Sequence, residues 1–261
     1  MGTYKPYTVC MPPFDPVSGG IRVMWGLYGW LLTKGQVVYA NAKYDTPSIA
    51  IYPEIYHGNP AGSETVVRYI LNKPGIMASG GVPGPMEFEP TDLVYVFSKI
   101  YDTFGVDNDH LMFLPILNTS LFKDQRRKRT KRCVFVGKGQ DIPLKETKGL
   151  ERVDRGLAMD QGRLADFLNE CEVMYSFENP TAMNEIARLC GCKVVFIPEG
   201  ATLKYTKKEL DTLYEPTGHG IIWGLGNDAK FDSKLFRAHY MGLKDEFSLK
   251  LDVFIKETQR A

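Results

Sequence analysis

Residues 172–200 constrain the fold more than any other part of the sequence. They read EVMYSFENPTAMNEIARLCGCKVVFIPEG, with a short apolar run at 173–176, a polar turn, a helical stretch at 181–189 that Gly191 ends, and a second apolar run at 193–197. A strand, a helix and a second strand in this order form the unit from which parallel sheets are built. The sequence therefore predicts an α/β fold with a parallel sheet.

The polar turn at 177–180 leads into the helix N-terminus. Pro180 suits the first helical turn, and Thr181 and Asn184 can cap or line it. Free N–H groups and the positive end of the helix dipole lie beyond the carboxyl end of a strand, where phosphates bind in open α/β sheets. Glu178 would repel a phosphate and suits hydroxyl groups. Together these features fit a nucleotide-sugar; the alternative is an ordinary strand–helix–strand unit with a solvent-exposed Glu178.

The same stretch resembles the donor-binding segment of GT-B glycosyltransferases. That segment has an acidic residue at the turn, a helix with a second glutamate, a glycine and a Val-Val strand. The matching positions are Glu178, Cys190, Gly191, Val194 and Val195. The resemblance implies that Glu178 contacts the donor sugar. Ile186 stands where the family has its second glutamate, beside Glu185, so the ribose contact of the family does not carry over.

The turn, the helix start and the resemblance together define a set of candidate donor-binding residues in this segment. They are Tyr175, Asn179, Pro180, Thr181, Asn184 and Glu185.

A glycine pair opens the first predicted helix of the chain. Gly19-Gly20 immediately precede a broad apolar pattern at 21–33, which predicts a largely buried helix ending at Gly35. A Gly-Gly turn lets a ligand or another backbone approach closely, although a plain strand–helix loop is the alternative. GGIRVMWGLYGWLLTKG resembles the GT-B segment whose Gly-Gly turn faces the donor phosphates or the acceptor, so Gly19 and Gly20 are candidate donor-binding residues.

Strands are predicted at 7–11, 36–41 and 48–52, and a helix at 64–72 closed by Pro74-Gly75. The pairing of YPE, GNP, VVRY and LNKPG in this region is similar to a bacterial subgroup of GT-B transferases proposed to act on surface polysaccharides. Glu54 and His57 follow a strand, where a catalytic base can lie, and Asp15 is a third candidate base. The alternative for His57 is a local hydrogen bond within its loop.

A strongly basic run, KDQRRKRTKR, occupies residues 123–132. It follows a Gly/Pro-rich loop at 76–91, a strand at 92–98 and a segment at 118–122 that resembles the entry to the GT-B interdomain linker. We interpret 123–132 as a solvated linker. An alternative is a patch at 126–132 that meets anionic lipid headgroups or a lipid-linked phosphate acceptor. No aromatic residues are interleaved, which argues against nucleic acid.

The second half begins with a predicted strand at 133–136, followed by Gly137-Lys138-Gly139. A lysine at a glycine-lined strand end can pair with a phosphate as a point charge. The resemblance implies that Lys138 contacts the donor diphosphate. No Walker A motif is present. Helices are predicted at 160–169, 205–213, 230–241 and 244–258, with a strand and turn at 219–226.

The composition limits the class of protein. The 261 residues carry a net charge of +1, and 44% are hydrophobic, which predicts a globular protein without a global field for nucleic acid. Five scattered cysteines favour a reducing cytosol, and Cys190-Gly191-Cys192 is read as small residues that pack a helix on a strand. No apolar run reaches about 18 residues. The expected location is cytoplasmic, with membrane association as a further option.

These observations lead to one hypothesis for the whole chain. It expects two Rossmann-like domains facing across a cleft, as in a short GT-B protein: 1–122, a linker at 123–132, 133–243, and a helix at 244–261 packing back on the first domain. The expected activity is metal-independent transfer of a sugar from a nucleoside-diphosphate donor to a polysaccharide or lipid-linked glycan, without a cofactor. The alternative is a non-catalytic binding or scaffold subunit. The absence of a G-x-G-x-x-G after a strand argues against a nicotinamide-dependent enzyme.

Overall fold

The computed structural model describes residues 4–43, 47–79, 81–202, 205–214, 221–226 and 230–261. The chain divides into two units, one comprising Met1–Ile116 and Leu243–Ala261 and the other Leu117–Gly242. The predicted α/β class is confirmed, because each unit contains a five-stranded sheet in which all neighbouring strands run parallel. Residues 123–132, predicted as a linker, lie within the second unit.

The sheet of the first unit has the order β2-β1-β3-β4-β7, and a two-residue hairpin pairs β5 with β6. One helix, α1, connects β1 to β2. The elements are β1 Tyr7–Val9, α1 Gly19–Thr33, β2 Val38–Ala40, β3 Ile49–Pro53, β4 Thr65–Ile70, β5 Ala78–Ser79, β6 Val82–Pro83 and β7 Leu93–Val96.

The sheet of the second unit has the order β12-β11-β10-β8-β9. When the strands are numbered within each unit, both sheets have the order 2-1-3-4-5. The second strand is added on one side of the first strand and the later strands on the other side, so the strand order reverses between the first and third strands. The elements are β8 Lys131–Phe135, β9 Glu151–Arg152, α2 Arg155–Met159, α3 Gln161–Glu170, β10 Cys171–Ser176, α4 Ala182–Leu189, β11 Lys193–Phe196, α5 Lys207–Tyr214, β12 Ile221–Trp223 and α6 Ser233–Thr258.

The predicted strand–helix–strand unit is confirmed. β10 and β11 pair in parallel, with Val173 opposite Lys193 and Ser176 opposite Phe196, and α4 connects them. Pro180, however, lies before the helix instead of in its first turn. The Thr181 side chain accepts a hydrogen bond from the N–H of Met183, so Thr181 takes the N-cap position and the helix begins at Ala182.

The predicted helix at 64–72 is wrong, since this segment forms the strand β4. All six residues of β4 are buried, and the strand is bonded to β3 on one side and β7 on the other. A central parallel strand covered on both faces is buried along its whole length, without the alternation of buried and exposed residues that a one-sided strand shows. The β-branched residues Val66 and Val67 suit that environment.

Three further predictions are corrected in detail. Gly19 and Gly20 do not form a turn before α1 but are its first two residues, because Ser18 is the N-cap. The loop predicted at 76–91 contains the β5–β6 hairpin. The two helices predicted at 230–241 and 244–258 are one continuous helix, α6. The strand predicted from 219 is described only as Ile221–Trp223, and residues 219–220 lie outside the described ranges.

The second half of α6 completes the core of the first unit. Phe247, Leu251 and Phe254 pack in the same buried cluster as the strand residues of the first sheet. At the end of the helix, the Thr258 hydroxyl lies 2.7 Å from the Tyr7 hydroxyl, and Tyr95 donates to the Glu257 carboxylate at 2.5 Å. Across the described residues, no helix is long and apolar enough to cross a membrane.

Candidate functional site

Three loops meet at the carboxyl edge of the second sheet. They follow β8, β10 and β11, and the first two flank the point at which the chain reverses across the sheet. In open α/β sheets, ligands bind in the crevice outside this point. The structure therefore places Lys138 and Glu178, which follow β8 and β10, where a binding site is expected from topology alone.

Glu178 and Lys138 are 40 residues apart in the sequence and in direct contact. The backbone N–H of Lys138 donates to Glu178 Oε2 at 3.0 Å. Among the described residues, no donor reaches the other carboxylate oxygen. The Lys138 side chain is exposed. The site thus combines a carboxylate with one oxygen left to accept from a ligand and a lysine at its rim.

Gly137 makes this contact feasible. A Cβ at Gly137 would lie 1.8 Å from Glu178 Oε2, and the residue has φ +57°, a conformation that other residues rarely adopt. The glycine is required both by the backbone turn and by the space that the carboxylate fills.

Glycines also let the three loops pack without side chains between them. A Cβ at Gly139 would lie 2.2 Å from the carbonyl oxygen of Phe177, and one at Gly200 would lie 2.2 Å from the Phe177 ring. The N–H of Gln140 donates to the Gly200 carbonyl at 2.7 Å. The Thr202 hydroxyl donates to the Lys138 carbonyl. Sequence reasoning missed Gly200 and Thr202, although their position directly after β11 places them at the same edge as Lys138.

The start of α4 completes the site. Asn184 is fully buried and donates through Nδ2 to the Glu178 carbonyl at 3.0 Å, which also accepts from the Ser176 hydroxyl at 2.8 Å. The Oδ1 atom of Asn184 has no hydrogen-bond partner among the described residues. Nor do those residues offer an acceptor to the N–H groups of Thr181 and Ala182. This helix start therefore has both donors and an acceptor available.

Burial shifts the pKa of the Glu178 carboxyl. Loss of solvent raises the pKa of the Glu178 carboxyl, and the Lys138 N–H and the Lys138 charge oppose that rise. The carboxylate is consequently easier to protonate than one in water.

The remaining candidates of the second unit are peripheral to this cluster. Tyr175 is buried and packs in the core with Val134 and Val195. Asn179 is buried in the loop after β10, and Glu185 is half-buried in the first turn of α4. Ile186 is also buried, so its side chain contributes to packing.

The candidate residues of the first unit contact their own loops. Glu54 is 4% exposed and accepts from the N–H of Leu71 at 2.9 Å. His57 is exposed, with Nε2 2.8 Å from the Pro83 carbonyl oxygen, and Asp15 accepts from the N–H of Val17 at 2.9 Å. A Cβ at Gly20 would meet only Leu71, and one at Gly19 would meet nothing within 4 Å. The structure does not join these residues into one cluster.

Several side chains of the basic run are paired with carboxylates. Arg127 lies 2.7 Å from Asp166, and Lys131 lies 2.7 Å from Glu170, both acids being on α3. Arg132 lies 2.5 Å from Glu172 on β10. These pairs neutralise part of the positive charge, and membrane contact through 126–132 stays a prediction.

Comparisons with known proteins do not assign the chain to a family. No family model matches the chain, and no curated protein matches it. In the part of the chain that the structure describes, no group of three or more His, Cys, Asp or Glu residues is placed to hold a metal ion.

Proposed function

We propose that the protein is a glycosyltransferase that takes a sugar from a nucleoside-diphosphate donor and passes it to a polysaccharide or lipid-linked glycan. The observation that carries the proposal is the contact between Glu178 and the Lys138 backbone at the reversal point of the second sheet. The GT-B pairing of the two Rossmann-like units belongs to the same proposal, as does a peripheral encounter with membranes.

The proposed roles follow from the chemistry of each group. The oxygen of Glu178 that is not bonded to Lys138 would accept from donor-sugar hydroxyls. The Lys138 ammonium and the N–H groups of Thr181 and Ala182 would stabilise the diphosphate, because charge-assisted and helix N-terminal hydrogen bonds favour anions. As negative charge develops on the departing diphosphate, these donors would stabilise it in the transition state.

The carboxylate and the amide donors of this site suit different parts of a ligand. The carboxylate is bonded to the loop after β8 and repels a diphosphate, while the amide donors lie at the start of α4 and attract one. A ligand with hydroxyls at one end and phosphates at the other satisfies both. A free phosphate would satisfy only the second part.

Calorimetric binding of UDP, GDP, dTDP, CDP and their sugar conjugates tests the proposal. Lys138→Ala is expected to weaken binding of both the diphosphate and its conjugate by about 10- to 100-fold, as expected for a hydrogen bond to a charged group. Glu178→Ala is expected to weaken only the conjugate by a similar factor. Lys193→Ala and Glu172→Ala are matched controls, since both residues lie at the amino ends of their strands.

Two results would contradict this site assignment. One is wild-type affinity in the Lys138 and Glu178 variants. The other is failure of every nucleotide to bind the wild-type protein at millimolar concentration.

A non-catalytic nucleotide-sugar-binding or scaffold subunit is the second candidate function. It is favoured by the first unit, where Glu54 is buried and bonded to the Leu71 backbone and His57 contacts the Pro83 carbonyl. Together with the bond from the Val17 N–H to Asp15, these contacts engage all three residues that would supply a base. The two functions differ in turnover: a transferase slowly hydrolyses its bound donor, whereas a binding subunit binds the same donor and leaves it intact.

A further inference from the structure

The backbone of Lys138 is held at both of its polar groups by side chains from two other loops. Its N–H donates to Glu178, which follows β10, and its carbonyl accepts from the hydroxyl of Thr202, which follows β11. The next two residues are also fixed, because Gly139 N–H donates to the Val136 carbonyl at 2.8 Å and Gln140 N–H donates to the Gly200 carbonyl at 2.7 Å.

Holding both peptide groups fixes the direction of the side chain between them. A peptide group is planar, so only φ and ψ remain free at each residue. The plane before Cα is held by Glu178, and the plane after it is held at its N–H by the Val136 carbonyl and at its carbonyl by Thr202, so both angles of Lys138 are restrained. The direction of its Cα–Cβ bond then follows.

Thr202 is suited to a test of this idea because it is exposed. Replacing it by valine keeps its shape and puts a methyl group in place of the hydroxyl, and no core cavity results. Any effect of the valine is therefore an effect of the lost hydrogen bond to Lys138.

We propose that Thr202 is a positioning residue that aims the Lys138 side chain at the anionic part of the ligand. The inference rests on the proposed function, in which Lys138 binds the diphosphate. Thr202 itself acts through the Lys138 carbonyl and has no ligand contact of its own.

A double-mutant cycle with Lys138→Ala and Thr202→Val tests the proposal. With whichever nucleoside diphosphate binds the wild-type protein, Thr202→Val is expected to weaken binding about fivefold, the effect of losing one ordinary hydrogen bond. Thr202→Ser retains the hydroxyl and is expected to restore the affinity. In the Lys138→Ala background, Thr202→Val is expected to change nothing further.

Thr33→Val is the matched control. Thr33 is also exposed and also donates to a carbonyl, that of Trp30, at the end of α1 in the other unit. It should leave binding unchanged. Equal losses from Thr202→Val with and without Lys138 would overturn the proposal, and so would wild-type affinity in Thr202→Val.

Amide hydrogen exchange tests the same link without a ligand. Thr202→Val is expected to accelerate exchange of the Lys138 N–H about fivefold, whereas Thr202→Ser should not. Unchanged exchange in the valine variant would contradict the positioning role even if no nucleotide bound. Conversely, faster exchange in a protein that binds no nucleotide would overturn the proposed function and leave Thr202 as an anchor of the Lys138 backbone only.

Discussion

The third strand of each sheet is followed by a glutamate, and the two glutamates lie in different surroundings. In the first unit, Glu54 follows β3, is 4% exposed and accepts from the Leu71 backbone. In the second unit, Glu178 follows β10, is half-buried and accepts from the Lys138 backbone through one oxygen only. Both carboxylates fix a loop, but Glu54 is buried, whereas Glu178 is half-buried and therefore open to a ligand on one side.

The loop after β3 is also held by a second charge. Arg68 on β4 donates to the carbonyls of Tyr56 and Gly58 at 3.2 and 2.6 Å, and to Asp92 at 2.7 Å. The comparison teaches that the same topology supports two uses of its carboxyl edge. One edge is tied down by an internal ion pair, and the other combines tight packing with groups still able to bond a ligand.

Breaking the ion pair of the first unit should have the largest effect. In Asp92→Ala, the guanidinium of Arg68 stays buried without its carboxylate, a loss that costs about 3–5 kcal/mol in such pairs. The Tm is expected to fall by roughly 10 °C in a calorimetric scan. Asp252→Ala, which removes an exposed pair with Lys34, is the control and should shift the Tm by no more than about 2 °C.

The glycines of the two units should respond differently to alanine. Gly139→Ala forces a Cβ against the Phe177 carbonyl, and overpacking of this kind costs about 1–3 kcal/mol. The Tm should fall by roughly 2–8 °C. Gly19→Ala meets nothing within 4 Å at the start of α1 and should be neutral or slightly stabilising. A similar Tm for the two variants would show that the loop after β8 is not tightly packed.

Substitution of Glu54 should lower the Tm without changing nucleotide affinity, in contrast to substitution of Glu178. Glu54→Ala leaves the Leu71 N–H without its acceptor, which costs about 1–3 kcal/mol, so the Tm should fall by roughly 2–8 °C while nucleotide affinity stays unchanged. Glu54→Gln retains an acceptor and should recover most of the Tm. Loss of nucleotide affinity in Glu54→Gln would assign this residue to the ligand site and remove the contrast with Glu178.

The smallest effect is expected from the titration of Glu178. Burial raises its pKa above the usual value near 4.5, so the folded protein holds this proton at a pH where the unfolded chain has released it. Stability contributed by Glu178 is therefore greatest at low pH and is lost as the pH rises from about 4.5 through the raised value. The Tm difference between wild type and Glu178→Gln, measured across this window, should shift in favour of the glutamine variant. A constant difference would mean that Glu178 titrates like an exposed carboxyl.

The sequence was sufficient for the strand–helix–strand unit, and it places Lys138 and Glu178 at the same sheet edge, but it did not predict the contact between them. Both residues follow apolar runs with strand length, and parallel strands bring their carboxyl ends to one edge. The fold class follows from the same periodicities. β4 was mistaken for a helix because its short sequence, TVVRYI, does not alternate strictly, and periodicity alone does not separate a buried strand from a helix. Its β-branched valines were the signal that favoured a strand.

Thr202 could not be found from local pattern. Its contact with Lys138 depends on strand order, since the loop after β11 has to reach back to the loop after β8. Glu54 and Asn184 were named as candidates, but their contacts could not be predicted either, because their partners are backbone groups that any residue could supply. A sequence shows which side chains are polar, but not which backbone N–H or carbonyl will lie beside them.

The chain order of α6 has a consequence for synthesis on the ribosome. Residues of the first unit are translated first, but Phe247, Leu251 and Phe254, which fill its core, are translated only after the whole of the second unit. Part of the apolar surface of the nascent first sheet therefore stays uncovered while the 126 intervening residues, Leu117–Gly242, are synthesised. Exposed parallel strands in that interval are prone to aggregation. The unit whose translation begins first is therefore the last to complete its core.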